Sequence, residues 1–161
     1  DKNIGNQTSL LFFVICIIGN IINVIMEEGI FRGLFTKMLE KNHTFFVSVL
    51  ITSVLFGLWH FIGPVRNYFD GSSSIEGMYV NIILLVTASG FIGFKFALLT
   101  KLTGSIYMAM GDHFINNTII NIFHIVSSTG CDELMFLRIA IAQSVSFIIV
   151  LFIYLHKKDC S

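Results

Sequence analysis

A chain of 161 residues with zero net charge, 55% hydrophobic residues, 12% charged residues and a mean hydropathy of +0.82 excludes two broad classes. Soluble globular domains carry about 25% charged residues, and a nucleic-acid-binding domain needs a basic surplus that is absent here. What remains is one compact unit, residues 1–161, whose bulk partner is membrane lipid.

The chain opens at Asp1 with neither an initiator methionine nor the charged n-region of a signal peptide. Its first apolar run is too long for an h-region, so an excerpt of a longer protein is expected. A spanning helix needs about 20 mainly apolar residues, and polar breaks divide the sequence into five candidates. The first runs from Ser9 to Glu40, with an amphipathic end at Thr36, Lys37, Glu40 and Lys41. The second, Thr44 to Ile62, is expected to stop before Gly63-Pro64, because proline lacks the amide that the helical ladder uses. A polar loop is expected over Arg66 to Glu76. The third, fourth and fifth candidates span Gly77–Thr100, Ser105–Ile125 and Glu133–His156. The fold class is therefore all-α, a polytopic transmembrane bundle of about five helices that forms the core of a larger bundle. Motif-bearing helices occupy 9–125, and an accessory helix occupies 133–156.

If the segments alternate, Lys37, Lys41, Lys95, Lys101, Lys157 and Lys158 share one side against Lys2 and Arg66 on the other. That bias marks the first side as cytoplasmic. Small residues recur four apart at Gly29/Gly33, Ser53/Gly57 and Ser89/Gly93, a spacing that lets helices approach closely in lipid. Cys16, Cys131 and Cys160 lack metal-ligand spacing and read as unpaired thiols.

Polar residues inside these segments carry the functional signal. An ionised side chain at mid-bilayer costs about 2.5–3.5 kcal/mol on insertion scales, against a gain of about 0.3–0.6 kcal/mol for each Leu, Ile or Phe. Glu27, Glu28 and Arg32 should therefore face a protein interior or a water-filled cavity. Asn20, Asn23 and Glu27 fall at i, i+3 and i+7, forming one stripe. Arg32 follows Glu28 by one turn, a spacing at which it can hold one acid ionised and leave the other free. A hairpin turning near Asn42–His43 sets Glu27 and His60 both roughly 22–27 Å from the turn at 1.5 Å per residue. On the fourth candidate, His113, Asn117, Asn121 and His124 form a further polar stripe. His43 lies in the turn and is assigned no role.

Two carboxylates, two histidines and a carboxamide suit a glutamate acting as general base on water, with histidine and asparagine donating to the oxyanion. An alternative is a zinc ion held by Glu27, His60 and His113. The sequence lacks His-Glu-x-x-His, which places that alternative second. A transporter cavity with a proton relay is a third reading.

The ordered set Glu27-Glu28-x-x-x-Arg32, Phe56-x-x-x-His60 and His113-x-x-x-Asn117 resembles the signature of the CAAX protease and bacteriocin-processing (CPBP, or ABI) family of intramembrane proteases. The surrounding Glu-Glu-Gly-Ile-Phe-Arg-Gly, Leu-Phe-Gly-Leu-Trp-His and Thr103-Gly104-Ser105 fit as well, so the resemblance covers roughly residues 10–125. It implies a glutamic endopeptidase that needs no cofactor, in a multi-pass protein of a microbial cell membrane. Its substrate would be a membrane-anchored protein or peptide, prenylated or not. Carried over, Glu27 is the general base, His60 helps hold the water, and His113 and Asn117 form the oxyanion site. Glu28 and Arg32 orient and support, and Phe56 walls the site. Some prenyl-processing members carry Asn four residues after the second-motif histidine. Here that position is Pro64, which leans the reading toward the branch associated with bacteriocin maturation or self-immunity. A non-catalytic scaffold or immunity protein is the alternative from another class.

Overall fold

The computed structural model describes residues 10–122 and 135–159, and every regular element among them is helical. His124, Cys131 and Cys160, named above, lie outside the described residues. The first span is one continuous helix with an irregular middle: α1 (Leu10–Glu28), a π-helical segment (Gly29–Phe35) and α2 (Thr36–Leu39). Thr36 stabilises the wide turn by donating both its backbone N–H and its hydroxyl to the carbonyl of Phe31, the hydroxyl at 2.7 Å. That hydroxyl also lies 3.2 Å from the Thr52 hydroxyl on the next helix, which fixes the end of the π segment laterally.

Glu40, just past α2, bonds Lys37 at 3.2 Å and Lys101 at 3.3 Å. Partial burial works against ionisation of Glu40. The hydrogen bonds and charges of the two lysines outweigh it and hold the carboxyl below the usual carboxylate range. The chain turns through exposed His43 and enters α3 (Phe45–Trp59), capped by Thr44.

Proline does not end the second span as expected. After a break at His60 and Phe61, helix resumes as α4 (Ile62–Phe69), with Pro64 in its first turn. Amides there have no intrahelical acceptor, so a missing N–H removes no bond. The predicted polar loop shrinks accordingly to Asp70–Ser74, where Gly71 takes the left-handed conformation at φ +73°. Ser74 then caps α5 (Ile75–Thr103) by accepting from the Gly77 amide at 3.1 Å. Gly104 ends α5 with φ +70°. Two further helices follow, α6 (Tyr107–Ile122) and α7 (Met135–Asp159).

Close packing of α3 against α5 comes from two of the three small-residue pairs. A Cβ on Gly57 would lie 2.5 Å from the Val86 carbonyl oxygen and 3.2 Å from the Gly90 nitrogen, both backbone atoms of α5. One on Gly93 would meet the Arg32 guanidinium at 2.7 Å and the Phe56 ring at 2.9 Å. The pair Gly29/Gly33 does not mediate helix contact: a Cβ on Gly29 meets nothing within 4 Å, and one on Gly33 meets only the Glu28 carbonyl of its own helix. Gly57→Ala is therefore expected to lower stability by about 1–3 kcal/mol, because backbone must move apart. Gly63→Ala, where a Cβ meets nothing within 4 Å, serves as the control. Thermal unfolding in detergent reads the difference.

Among the described residues, four helical stretches are long and apolar enough to cross a membrane: Leu10–Leu39, Phe45–Phe69, Ile75–Thr103 and Arg138–Lys157. Helix α6, which carries the polar stripe, packs against both α1 and α5. Burial is inverted relative to a soluble protein. Glu28, Lys95, Arg32, Glu27 and His113 are buried, while Ile15, Ile22, Leu84 and Phe152 are more than half exposed, facing outward where lipid would lie.

Candidate active site

The centre of the bundle gathers residues from all three motifs. Glu27 and Glu28 end α1, and the π segment swings Arg32 back so that its Nη1 donates to Glu28 Oε1 at 3.1 Å. Both partners are essentially sealed, with 2% and 0% exposure. Such a pair needs further support, because desolvating two ions costs several kcal/mol each. Part of that support is aromatic. The guanidinium lies 4.3 Å from the Phe56 ring centroid and 5.4 Å from that of Phe96, within cation–π range. Space for it against α5 exists because residue 93 is glycine.

From α6, His113 reaches between the two acids. Its Nδ1 lies 2.9 Å from Glu28 Oε1, the oxygen that also accepts from Arg32, and its Nε2 lies 3.5 Å from Glu27 Oε2. A carboxylate only accepts, so Nδ1 carries the proton. The 3.5 Å approach is too long for a good hydrogen bond. Among the described residues, Glu27 Oε2 and Glu28 Oε2 are buried without a hydrogen-bond partner, a condition that usually marks a functional site or a group served by water. Phe96 stacks on the His113 ring at 5.0 Å with 26° between planes, and Phe56 meets it edge-on at 6.0 Å.

The remaining motif residues sit at the margin of this centre. His60 caps α3, half-buried, with Nδ1 bonded to the Phe56 carbonyl at 2.8 Å and its ring edge-on to Phe56 at 4.8 Å. Phe56 thus stands between His60 and His113, and no ion pair or hydrogen bond joins His60 to either glutamate among the described residues. Asn117, one turn beyond His113, is half-buried. Above it the stripes on α1 and α6 interlock: Asn121 donates to Asn20 Oδ1 at 2.9 Å, and Asn20 donates to Thr118 at 3.4 Å. The proposed zinc donors Glu27, His60 and His113 do not make a metal-holding group, and no such group of three occurs among the described residues.

A cavity of about 370 Å³ lies on the basic side, lined by Thr36, Lys37, Glu40, Thr100 and Lys101 and reaching inward to Arg32. Glu27, His60 and His113 do not line it.

Lys95 is the buried residue whose role the sequence reading missed. Counted along the sequence it falls among the basic loop charges, yet it is fully buried within α5 and pairs with Asp112 of α6 at 2.6 Å. Removing it reduces the basic count from six against two to five against two, with the same side favoured. A lone lysine in the apolar run Gly93-Phe-Lys-Phe-Ala-Leu was the available signal, by the same insertion cost that singled out Glu27.

No curated protein and no solved structure matches this chain. A family model described as "Type II CAAX prenyl endopeptidase Rce1-like" matches residues 8–119, from the start of the first span through all three motifs. With its apolar spans and sealed Glu–Arg–His centre, this multi-pass integral membrane protein belongs to the Rce1-like family of type II CAAX prenyl endopeptidases.

Proposed function

We propose that the chain is an intramembrane glutamic endopeptidase, cleaving a membrane-anchored protein or peptide with water activated by Glu27. The observation that carries this reading is the inequality of the two acids. Among the described residues the Oε2 of each acid is unpartnered, but Glu28 Oε1 accepts from both Arg32 and His113, whereas Glu27 pairs with neither arginine nor lysine and approaches only an imidazole nitrogen, at 3.5 Å.

In the proposed reaction Glu27 takes a proton from water as its oxygen bonds to the scissile carbonyl carbon. Because Glu28 holds His113 at Nδ1, His113 can serve the resulting oxyanion only as imidazolium, with Nε2 also protonated. Asn117 would donate the second hydrogen bond from one turn further along α6. Collapse of the tetrahedral intermediate breaks the C–N bond, and the proton held by Glu27 passes to the leaving amine. No covalent enzyme intermediate is required. His60 would hold the water from the far side of Phe56, and the approach of substrate would bring these groups together.

Proteomic comparison of membranes expressing wild type and Glu27→Gln tests the proposal. A new peptide end found with wild type, absent with the variant and insensitive to chelator, is the expected result. Loss on chelation, reversed by zinc, would promote the metal mechanism. Identical peptide ends in both membranes at equal expression would favour the non-catalytic scaffold.

A further inference from the structure

A second polar cluster, built around a buried lysine, lies beside the candidate active site. Lys95 of α5 is 0% exposed, and its ammonium contacts Asp112 Oδ2 at 2.6 Å, Gln143 Oε1 at 2.6 Å and Ser146 Oγ at 3.2 Å. An ammonium has three protons, so this donor set is complete. Gln143 in turn donates to Asn116 Oδ1 at 2.7 Å. The cluster therefore ties three helices together: Lys95 from α5, Asp112 and Asn116 from α6, and Gln143 and Ser146 from α7.

Its position relative to His113 gives it consequence. Asp112 immediately precedes His113 on α6, and Asn116 follows by one turn. The Lys95 ammonium also lies 5.2 Å from the centroid of Phe96, the ring that stacks on His113. One side of α6 is thus bonded to Glu28 of α1 through His113, and the other sides are bonded to α5 and α7 through Asp112 and Asn116. These attachments fix the rotation of α6 about its own axis. A turn of about 20° moves a side-chain tip at a radius of about 5–6 Å by about 2 Å, enough to break the His113–Glu28 bond.

We infer that Lys95 is a positioning residue for His113, and that Gln143 of α7 anchors it. The inference rests on the functional reading of His113 given above. It brings α7, which lies beyond the matched residues 8–119, into the catalytic apparatus rather than leaving it as a bundle-filling helix.

The test uses the full chain in detergent or proteoliposomes, with Lys95→Met, Lys95→Arg and Gln143→Leu. Lys95→Met is expected to lower kcat per folded molecule about 10–100-fold, the scale of an ångström-level misplacement, with KM within twofold. Lys95→Arg restores most of the rate. Lys95→Met/His113→Ala is no slower than His113→Ala alone, because the lysine acts through the histidine. Additive losses, or an unchanged kcat in Lys95→Met, overturn the inference. If Lys95→Met does not fold, Gln143→Leu is the deciding variant, with an expected fall in kcat of about threefold or more; no change overturns the inference.

Imidazole nitrogen NMR of histidine-labelled protein provides a readout independent of cleavage. In Lys95→Met the His113 signal shifts while that of exposed His43 does not. An unchanged His113 signal overturns the inference even if the enzyme is active. A shifted signal in a protein that cleaves nothing supports the positioning and refutes the protease reading alone.

Discussion

Glu27→Gln is expected to leave a folded protein whose turnover on a membrane-anchored peptide falls by about 10²–10⁴-fold, the range for loss of a general base. Stability should be kept or slightly raised. Among the described residues no arginine or lysine forms an ion pair with Glu27 and its Oε2 has no hydrogen bond, so the amide breaks no short contact of that oxygen while removing a buried charge. Glu28→Gln should behave differently, since Glu28 Oε1 accepts from both Arg32 and His113. Neutralising it leaves a sealed guanidinium with weaker compensation, so both stability and activity should fall. Single-turnover kinetics beside thermal unfolding on the two variants separates these outcomes. If Glu28→Gln keeps its stability and loses all turnover while Glu27→Gln stays within threefold of wild type, the two acids exchange roles.

Arg32→Met is expected to be among the most destabilising single changes, by about 3–5 kcal/mol, because it strands the fully buried Glu28 carboxylate without its cation. Arg32→Lys should recover only part of the loss. The guanidinium plane spans Glu28, the Phe56 ring and the space over Gly93, and a lysine ammonium cannot meet these at once. Glu28→Gln/Arg32→Met removes both charges together, so it should regain much of the stability while remaining inactive. Unfolding midpoints of the two single variants and the double variant form a cycle that measures this coupling. Additive losses would show that the pair is not coupled and that packing alone explains the cost.

Much of this arrangement is legible along the chain because membrane solvent makes every charge conspicuous. Glu27, Glu28 and Arg32 stood out by insertion cost, and helical spacing alone brought Arg32 over Glu28. Axial arithmetic also set His60 near the level of the acids. It could not give the rotation of α3 about its axis, and in the folded bundle the Phe56 ring comes between His60 and His113. Pro64 misled for a local reason: proline stops a helix in its interior, yet it is tolerated in a first turn, and only the break at His60–Phe61 made its position a first turn. The apolar run around Lys95 signals that the lysine is buried, but its partners are not legible from that run: its counter-charge lies on another helix and its other partners on a third.

The π-helical segment Gly29–Phe35 divides the first span into two angular frames. Up to Glu28 the helix advances by about 100° per residue, and within the segment the bonding steps back five residues rather than four. Losing one residue there would let the ladder close as ordinary α-helix and would turn one half of the span by about 100° relative to the other. Glu27 and Glu28 could then keep their place against His113 only if Thr36 left Thr52 and Glu40 left Lys101. In this stretch an insertion or deletion is a change of angle more than of length, and residue count constrains the chain as tightly as residue identity.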